Sequence, residues 1–204
     1  MADITRIFKE HKIIAMIKEV GLSSAAQLGK ALLNGGVRVV NISQFSREGS
    51  AILNLFTKDY PELICGGGNV QSVEAASDAI KNGAKFIFSP LFDQQIVDMC
   101  RSANIPVFPV ITDPFLAIEN GLKTISLYPV ERLGGARFAQ SLFDRFGLTS
   151  IVAGGISKDT ISSYLKTPAI IAATGAWMID PSKIDQCDFD GVADDCRALL
   201  GTVH

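Results

Sequence analysis

The stretch Leu122–Glu131, with the sequence LKTISLYPVE, is the starting point for the fold. It is typical of a buried strand that ends at a proline, because proline cannot donate a ladder hydrogen bond. Glu131 lies just beyond the end of this strand. From the position of this strand along the chain, we expect it to carry the chemistry of the protein. Ser126 is the residue on the strand that we expect to take part.

Seven further short apolar stretches recur along the chain at a spacing of roughly 20 to 25 residues, which predicts a strand at each. The other predicted strands are Ile13–Ile17, Val37–Ile42, Leu63–Cys65, Lys85–Phe88, Val107–Ile111, Ser150–Ala153 and Ala169–Ala173. Ser23 and Ser24 are candidate caps for a helix between the first and second strands. Helical periodicity predicts further helices at Asp3–Glu10, Ser50–Asp59, Val73–Lys81, Gln94–Ala103, Pro114–Asn120, Ala136–Phe146, Thr160–Leu165 and Val192–Leu200.

Alternating strands and helices favour parallel pairing with right-handed crossovers, and eight such units close into a (β/α)8 TIM barrel. The prediction is therefore an α/β protein with a short N-terminal helix before the barrel. No linker or low-complexity segment divides residues 1–204, so we expect a single domain. An open doubly wound sheet is the alternative, but even repeats and glycine-rich strand ends fit a barrel better.

Composition limits the classes of function. A net charge of -2 gives no electrostatic case for nucleic acid or an anionic membrane as partner. No apolar run approaches the roughly 20 residues of a membrane span, and residues 1–12 lack the apolar core of a signal peptide. Four widely spaced cysteines and two histidines indicate neither a disulfide framework nor a metal site, and we expect no cofactor. Free thiols are typical of a cytoplasmic protein.

The active site of a barrel lies at the carboxyl ends of its strands. Two neighbouring ends are rich in small residues: Gly154 and Gly155 with Ile156 follow the seventh strand, and Gly175 with Ala176 follows the eighth. Such turns expose backbone N–H groups, and barrels often bind phosphate there. The sequence therefore predicts a phosphate or carboxylate site at these two turns, although glycines also occur where a turn is merely tight.

Seven motifs in chain order resemble one known family, the 2-keto-3-deoxy-6-phosphogluconate (KDPG) / 4-hydroxy-2-oxoglutarate (KHG) aldolases, over about residues 13–181. Each motif is weak alone, and their order and spacing carry the resemblance. The motifs are Gly36–Ser43, Cys65–Val70, Asn82–Pro90, Ile105–Pro109, Leu127–Glu131 with Gly134 and Gly135, Ala153–Ser157 and Gly175–Trp177.

The resemblance implies a trimeric (β/α)8 class I aldolase, a lyase of carbohydrate metabolism that cleaves 2-keto-3-deoxy sugar acids to pyruvate and an aldehyde. In that family a strand-six lysine forms a Schiff base, a strand-two glutamate moves protons, an arginine nearby holds the carboxylate, and glycine turns hold phosphate. The implied partner is a small anionic or phosphorylated keto acid, and the implied assembly is a homotrimer.

The family's phosphate-binding turns align with this chain at Gly154, Gly155, Ile156, Gly175 and Ala176. Pro129 and Glu131 also match the family pattern, and the basic residue that ends strand one is kept in kind as Lys18.

The reacting groups do not match. The Schiff-base lysine falls on Ser126, the glutamate on Asn41, the arginine on Phe45 and the threonine after the strand-three glycines on Asn69. A Schiff base requires a primary amine, and Asn41 has no titratable proton with which to act as a general base. Arg47 is a candidate to replace the arginine.

The resemblance thus predicts an aldolase-family protein with a preserved anion site and an altered catalytic centre, whose candidate catalytic residues are Ser126, Asn41, Lys18 and Glu131. Three alternatives remain. One is a non-catalytic binding or regulatory protein for a phosphorylated small acid. The second is a phosphosugar isomerase or epimerase that uses Glu19, Asp113 or Glu131. The third is a purely structural subunit.

Overall fold

The chain forms a (β/α)8 barrel in the computed structural model, which describes residues 3–203. All strand pairs are parallel, and the order around the sheet is β5-β4-β3-β2-β1-β8-β7-β6. The strands are β1 Ile13–Ile17, β2 Val39–Ser43, β3 Ile64–Gly68, β4 Ile87–Ser89, β5 Val107–Pro109, β6 Thr124–Leu127, β7 Thr149–Val152 and β8 Ile170–Gly175.

Helices separate successive strands, as the sequence predicts. They are α1 Ile4–His11, α2 Leu22–Asn34, α3 Gly49–Asp59, α4 Val73–Lys81, α5 Gln94–Ser102, α6 Pro114–Glu119, α7 Gly135–Phe146 and α8 Ile161–Leu165; after β8 come a 3-10 turn at Ala176–Met178, α9 Pro181–Asp185 and α10 Phe189–Gly201. Among residues 3–203, no helix combines the length and apolar character needed to cross a membrane.

The barrel closes between β5 and β6 through a short junction. A single bridge pairs Val110, just past β5, with Ser126 of β6. The backbone N–H of Ile111 donates to the carbonyl oxygen of Ser126 over 3.3 Å. The predicted fifth strand ran to Ile111, but the ladder to β4 ends at Pro109, and the chain then turns to meet Ser126.

Two apolar layers hold the barrel together. The larger one lies between the strands and the surrounding helices, and the smaller one fills the barrel interior. In the interior the ring of Phe8 from α1 lies 4.9 Å from Phe86 and 5.4 Å from Phe108, measured between ring centroids. The N-terminal helix therefore fills the end of the barrel where the strands begin.

The third strand is longer than predicted because its glycines are part of the sheet. Asn41, Ile42 and Ser43 of β2 pair with Gly66, Gly67 and Gly68. A Cβ atom on Gly66 would overlap the ring of Phe86. The glycines make room for a large aromatic ring in the interior.

The start of α2 corrects one prediction. The helix begins at Leu22, before Ser23 and Ser24, and neither serine caps it. The Leu22 N–H instead donates to the carboxylate of Glu48 over 2.6 Å, from the loop after β2. A cap contributed from another loop leaves no local sequence pattern.

Candidate functional site

A cavity of about 370 Å³ opens at the carboxyl ends of the strands, and we call it the mouth cavity. Its described lining includes seven of the predicted site residues: Lys18, Asn41, Asn69, Ser126, Gly154, Gly175 and Ala176. A larger groove of about 980 Å³ lies at the opposite end, beside α1, where Lys85 and Lys123 lie. Those two lysines are therefore at the wrong end of the barrel to act in the mouth cavity.

Ser126 lies on β6 in the wall of the mouth cavity and is 8% exposed. Its Oγ donates to the carbonyl oxygen of Phe108 on β5 over 3.0 Å. The hydroxyl proton is therefore used within the protein, while the oxygen lone pairs remain free to accept.

Asn41 lies on β2 and is 2% exposed. Its Nδ2 donates to Oγ1 of Thr174, on β8, over 3.0 Å. Its Oδ1 has no hydrogen-bond partner among the described residues. A Cβ on Gly68 would overlap this oxygen, so the glycine of β3 leaves the space in which the amide lies.

Lys18 is the one charged side chain among the described residues that line the mouth cavity. Its side chain is 50% exposed, and its Nζ lies 3.8 Å from a carboxylate oxygen of Glu19, whose own side chain is 80% exposed. An exposed ion pair of this kind contributes little stabilisation in water. Lys18 can therefore turn its ammonium group toward an anion in the cavity.

The turn after β7 has a backbone conformation that requires glycine. Gly154 and Gly155 have φ values of 82° and 77°, in the left-handed region that favours glycine. The backbone N–H groups of Gly154, Gly155 and Ile156 donate to no other described residue. Successive free backbone donors of this kind can accommodate an oxyanion.

Glu131 lies behind this turn and does not line the mouth cavity. Its backbone N–H donates to the carbonyl oxygen of Gly154 over 3.4 Å, and a Cβ on Gly155 would overlap its carboxylate. Burial, and then the nearby Glu131 charge, raise the pKa of the Tyr164 hydroxyl above its usual value. Gly155 and Ile156 likewise lie beside the cavity and not in its lining.

The remaining predicted residues belong to loops. Phe45 is 75% exposed and Arg47 is exposed, and neither is part of the cavity lining. Asn69 lines the cavity with a backbone φ of 54°, and its Oδ1 accepts from Gln71 Nε2 over 3.4 Å.

The structure adds residues that the sequence did not single out. Met16, Thr174 and Trp177 line the mouth cavity. The indole Nε1 of Trp177 is buried without a partner among the described residues, and a Cβ on Gly175 would overlap it. Met16 lies two residues before Lys18, so strand alternation could have placed it on the same face.

Comparison with known proteins identifies the family. The family model described as KDPG and KHG aldolase matches residues 4–194. The chain belongs to the KDPG/KHG aldolase family. It is 26% identical to the 2-dehydro-3-deoxy-phosphogluconate aldolase of Treponema pallidum, over 94% of this chain and 93% of the relative. It is 25% identical to the KHG/KDPG aldolase of Escherichia coli K12, over 88% of this chain and 86% of the relative.

Solved structures agree with the barrel fold. The KDPG aldolase from Legionella pneumophila, solved with pyruvate captured as a covalent carbinolamine intermediate, superposes with a TM-score of 0.90 at 21% identity, covering 97% of this chain and 98% of that one. The membership of this chain in the KDPG/KHG aldolase family and its TIM-barrel fold therefore confirm the resemblance seen in the motifs.

Proposed function

We propose that this KDPG/KHG aldolase-family chain binds a small acid with a phosphate or second acidic group in the mouth cavity, without forming a Schiff base. The observation that carries the proposal is Ser126. The resemblance aligns the family's lysine with Ser126, and the hydroxyl proton of Ser126 is donated to the carbonyl oxygen of Phe108. A hydroxyl cannot form an imine with a carbonyl group.

The anion-binding half supports a ligand of this class. Gly154, whose backbone N–H is free, and Lys18 line the mouth cavity, and the free N–H groups of Gly155 and Ile156 follow Gly154 in the chain. Opposite charge and oriented backbone donors favour carboxylate and phosphate oxygens.

The position at which we expect the family's proton-transferring glutamate carries no titratable group. Asn41 replaces the family's glutamate, and its amide holds no proton that it could exchange. Asp113 caps α6 by accepting from the Phe115 N–H over 2.9 Å, and neither it nor Glu19 nor Glu131 lines the cavity. No observation therefore favours the isomerase or epimerase alternative.

Lys18 is the remaining amine in the lining. Incubation with pyruvate and sodium borohydride, followed by intact-protein mass spectrometry, tests whether it reacts. The Legionella pneumophila enzyme serves as the positive control, because it captures pyruvate covalently. We expect no adduct on this chain. A pyruvate adduct mapped to Lys18 and lost in Lys18→Met would overturn the proposal and restore Schiff-base chemistry.

The homotrimeric assembly, the single-domain organisation of residues 1–204 and the cytoplasmic location stay predictions. Size-exclusion chromatography with light scattering tests the first of them directly.

A further inference from the structure

The least exposed polar residue in the described lining of the mouth cavity carries a hydrogen-bond acceptor without a donor. Asn41 is 2% exposed, and its Oδ1 has no partner among the described residues. Its Nδ2 donates to Oγ1 of Thr174 through one of its two N–H groups, and this bond does not involve Oδ1. A buried acceptor without a partner is costly, so a ligand that brings a donor to it gains affinity. The broad χ2 torsion of asparagine allows the amide to turn toward such a donor.

Ser126 presents the same polarity from β6. Its proton is donated to Phe108, so toward the cavity it offers only lone pairs. Two strands of the wall therefore present acceptors, among apolar neighbours such as Met16 and Ile151. A ketone oxygen is an acceptor only and cannot satisfy Asn41 Oδ1 or the Ser126 lone pairs, whereas a hydroxyl group can donate to either.

The donors of the cavity lie where the acid group is expected. The unpaired indole N–H of Trp177 lies against Gly175, at the turn after β8, and the free backbone N–H groups follow β7. Lys18 adds a positive charge at the end of β1. The lining thus combines donors suited to an oxyanion, at Gly154 and Lys18, with acceptors on β2 and β6 suited to a neutral donor.

We propose that the mouth cavity selects a 2-hydroxy acid over the matching 2-keto acid, with Asn41 Oδ1 accepting the proton of the 2-hydroxyl group. Asn41 is then the residue that determines specificity. The inference rests on the proposed function, since it assumes an anion bound at this mouth. It departs from the keto acid that the resemblance implies.

A matched pair of probes tests the inference. 3-Phosphoglycerate and 3-phosphohydroxypyruvate differ only in having a hydroxyl or a ketone at carbon two. Titration calorimetry on the unaltered protein is expected to give at least fivefold tighter binding of 3-phosphoglycerate. In Asn41→Leu, of similar size and without the acceptor, that preference is expected to fall to less than twofold. Asn54→Leu, the same change on α3 and outside the lining of the mouth cavity, is expected to keep it.

Each other outcome is decisive. Equal binding of the two acids to the unaltered protein, or tighter binding of the keto acid without a borohydride adduct, overturns this inference and leaves the proposed function standing. A preference that persists in Asn41→Leu removes Asn41 as its cause. Should that variant fail to fold, the comparison on the unaltered protein still decides the preference. Binding of neither acid overturns the inference, and a pyruvate adduct on Lys18 overturns the proposed function as well.

Discussion

The hydroxyl of Ser126 donates to the carbonyl oxygen of Phe108 over 3.0 Å and so joins β6 to β5, where the sheet is otherwise closed by one bridge. The residue on which we expect the family's Schiff-base lysine to fall thus contributes to barrel closure. The proton of the Ser126 hydroxyl is engaged with a backbone carbonyl oxygen. An activated serine nucleophile instead passes its proton to a neighbouring base.

Removing this bond should weaken the barrel. Ser126→Ala is expected to lower the free energy of unfolding by about 0.5–1.5 kcal/mol, the usual net value of one hydrogen bond. Urea denaturation measures it. Ser150→Ala is the matched control, because the Ser150 hydroxyl is fully buried and has no partner among the described residues. We expect that control to be neutral or stabilising, and an equal loss in both variants would contradict the role of Ser126 in closure.

Restoring the amine should restore covalent capture. Ser126→Lys places a primary amine in the wall of the mouth cavity, where burial lowers the pKa of a lysine and favours the reactive neutral form. We expect a pyruvate adduct after borohydride reduction, measured by intact mass. Ser126→Met, with a chain of similar character and no amine, should give none. A folded Ser126→Lys protein without an adduct would show that more than the lysine has been lost.

The glycine turn should be needed for binding as well as for folding. Gly155→Ala adds a Cβ to a residue in the left-handed region, which lowers the free energy of unfolding by about 1–2 kcal/mol. The added Cβ would also overlap the side chain of Glu131. Gly147→Ala has the same kind of strain, with φ 69° and nothing within 4 Å of the added atom. We expect both to lose stability in urea and only Gly155→Ala to lose affinity for 3-phosphoglycerate. Unchanged affinity would place the anion elsewhere.

Lys18 should contribute charge to that affinity. Lys18→Met is expected to weaken 3-phosphoglycerate binding about fivefold at low salt, as for a half-exposed charge. The difference from the unaltered protein should shrink as sodium chloride is raised, because salt screens exposed charges. The control is Lys81→Met on α4, whose ammonium group lies 3.5 Å from Asp78 and outside the cavity lining. Equal effects of the two variants would argue for a general charge effect.

The four thiols should differ sharply in reactivity. Burial raises the pKa of Cys65 to about 12 and those of Cys100 and Cys196 to about 11, so these thiols stay protonated and shielded at pH 8. Cys187 is exposed. Ellman's reagent is expected to modify one thiol in the native protein and four after unfolding. Cys187→Ser should abolish the native reaction, and a second fast thiol in that variant would indicate local opening of the barrel.

Strand positions could be predicted because each buried parallel strand is a short apolar run, as at Ile13–Ile17 and Ser150–Ala153. The glycine turn after β7 could be predicted for a similar reason, since Gly154 and Gly155 adopt a backbone that few other residues tolerate. These features depend on residues that are near one another in the chain.

Features that depend on distant pairs could not be predicted. Asn41 is bonded to Thr174, 133 residues away, and Glu48 caps a helix 26 residues before it. Sequence placed Ser126 on the right strand, but its bond to Phe108 arises only when β6 meets β5. The resemblance to the family also predicts Phe45 as a site residue. In the structure Phe45 is 75% exposed and is not part of the cavity lining.

The aromatic filling by Phe8, Phe86 and Phe108 has a consequence for kinetics. With the strand-start end of the barrel interior filled, a molecule in the mouth cavity enters and leaves by the same opening. Two ligands that reach Asn41 therefore exclude one another, and one must depart before the other arrives. For the proposed ligands, dissociation of the first molecule therefore sets the upper limit on the rate at which a second can replace it.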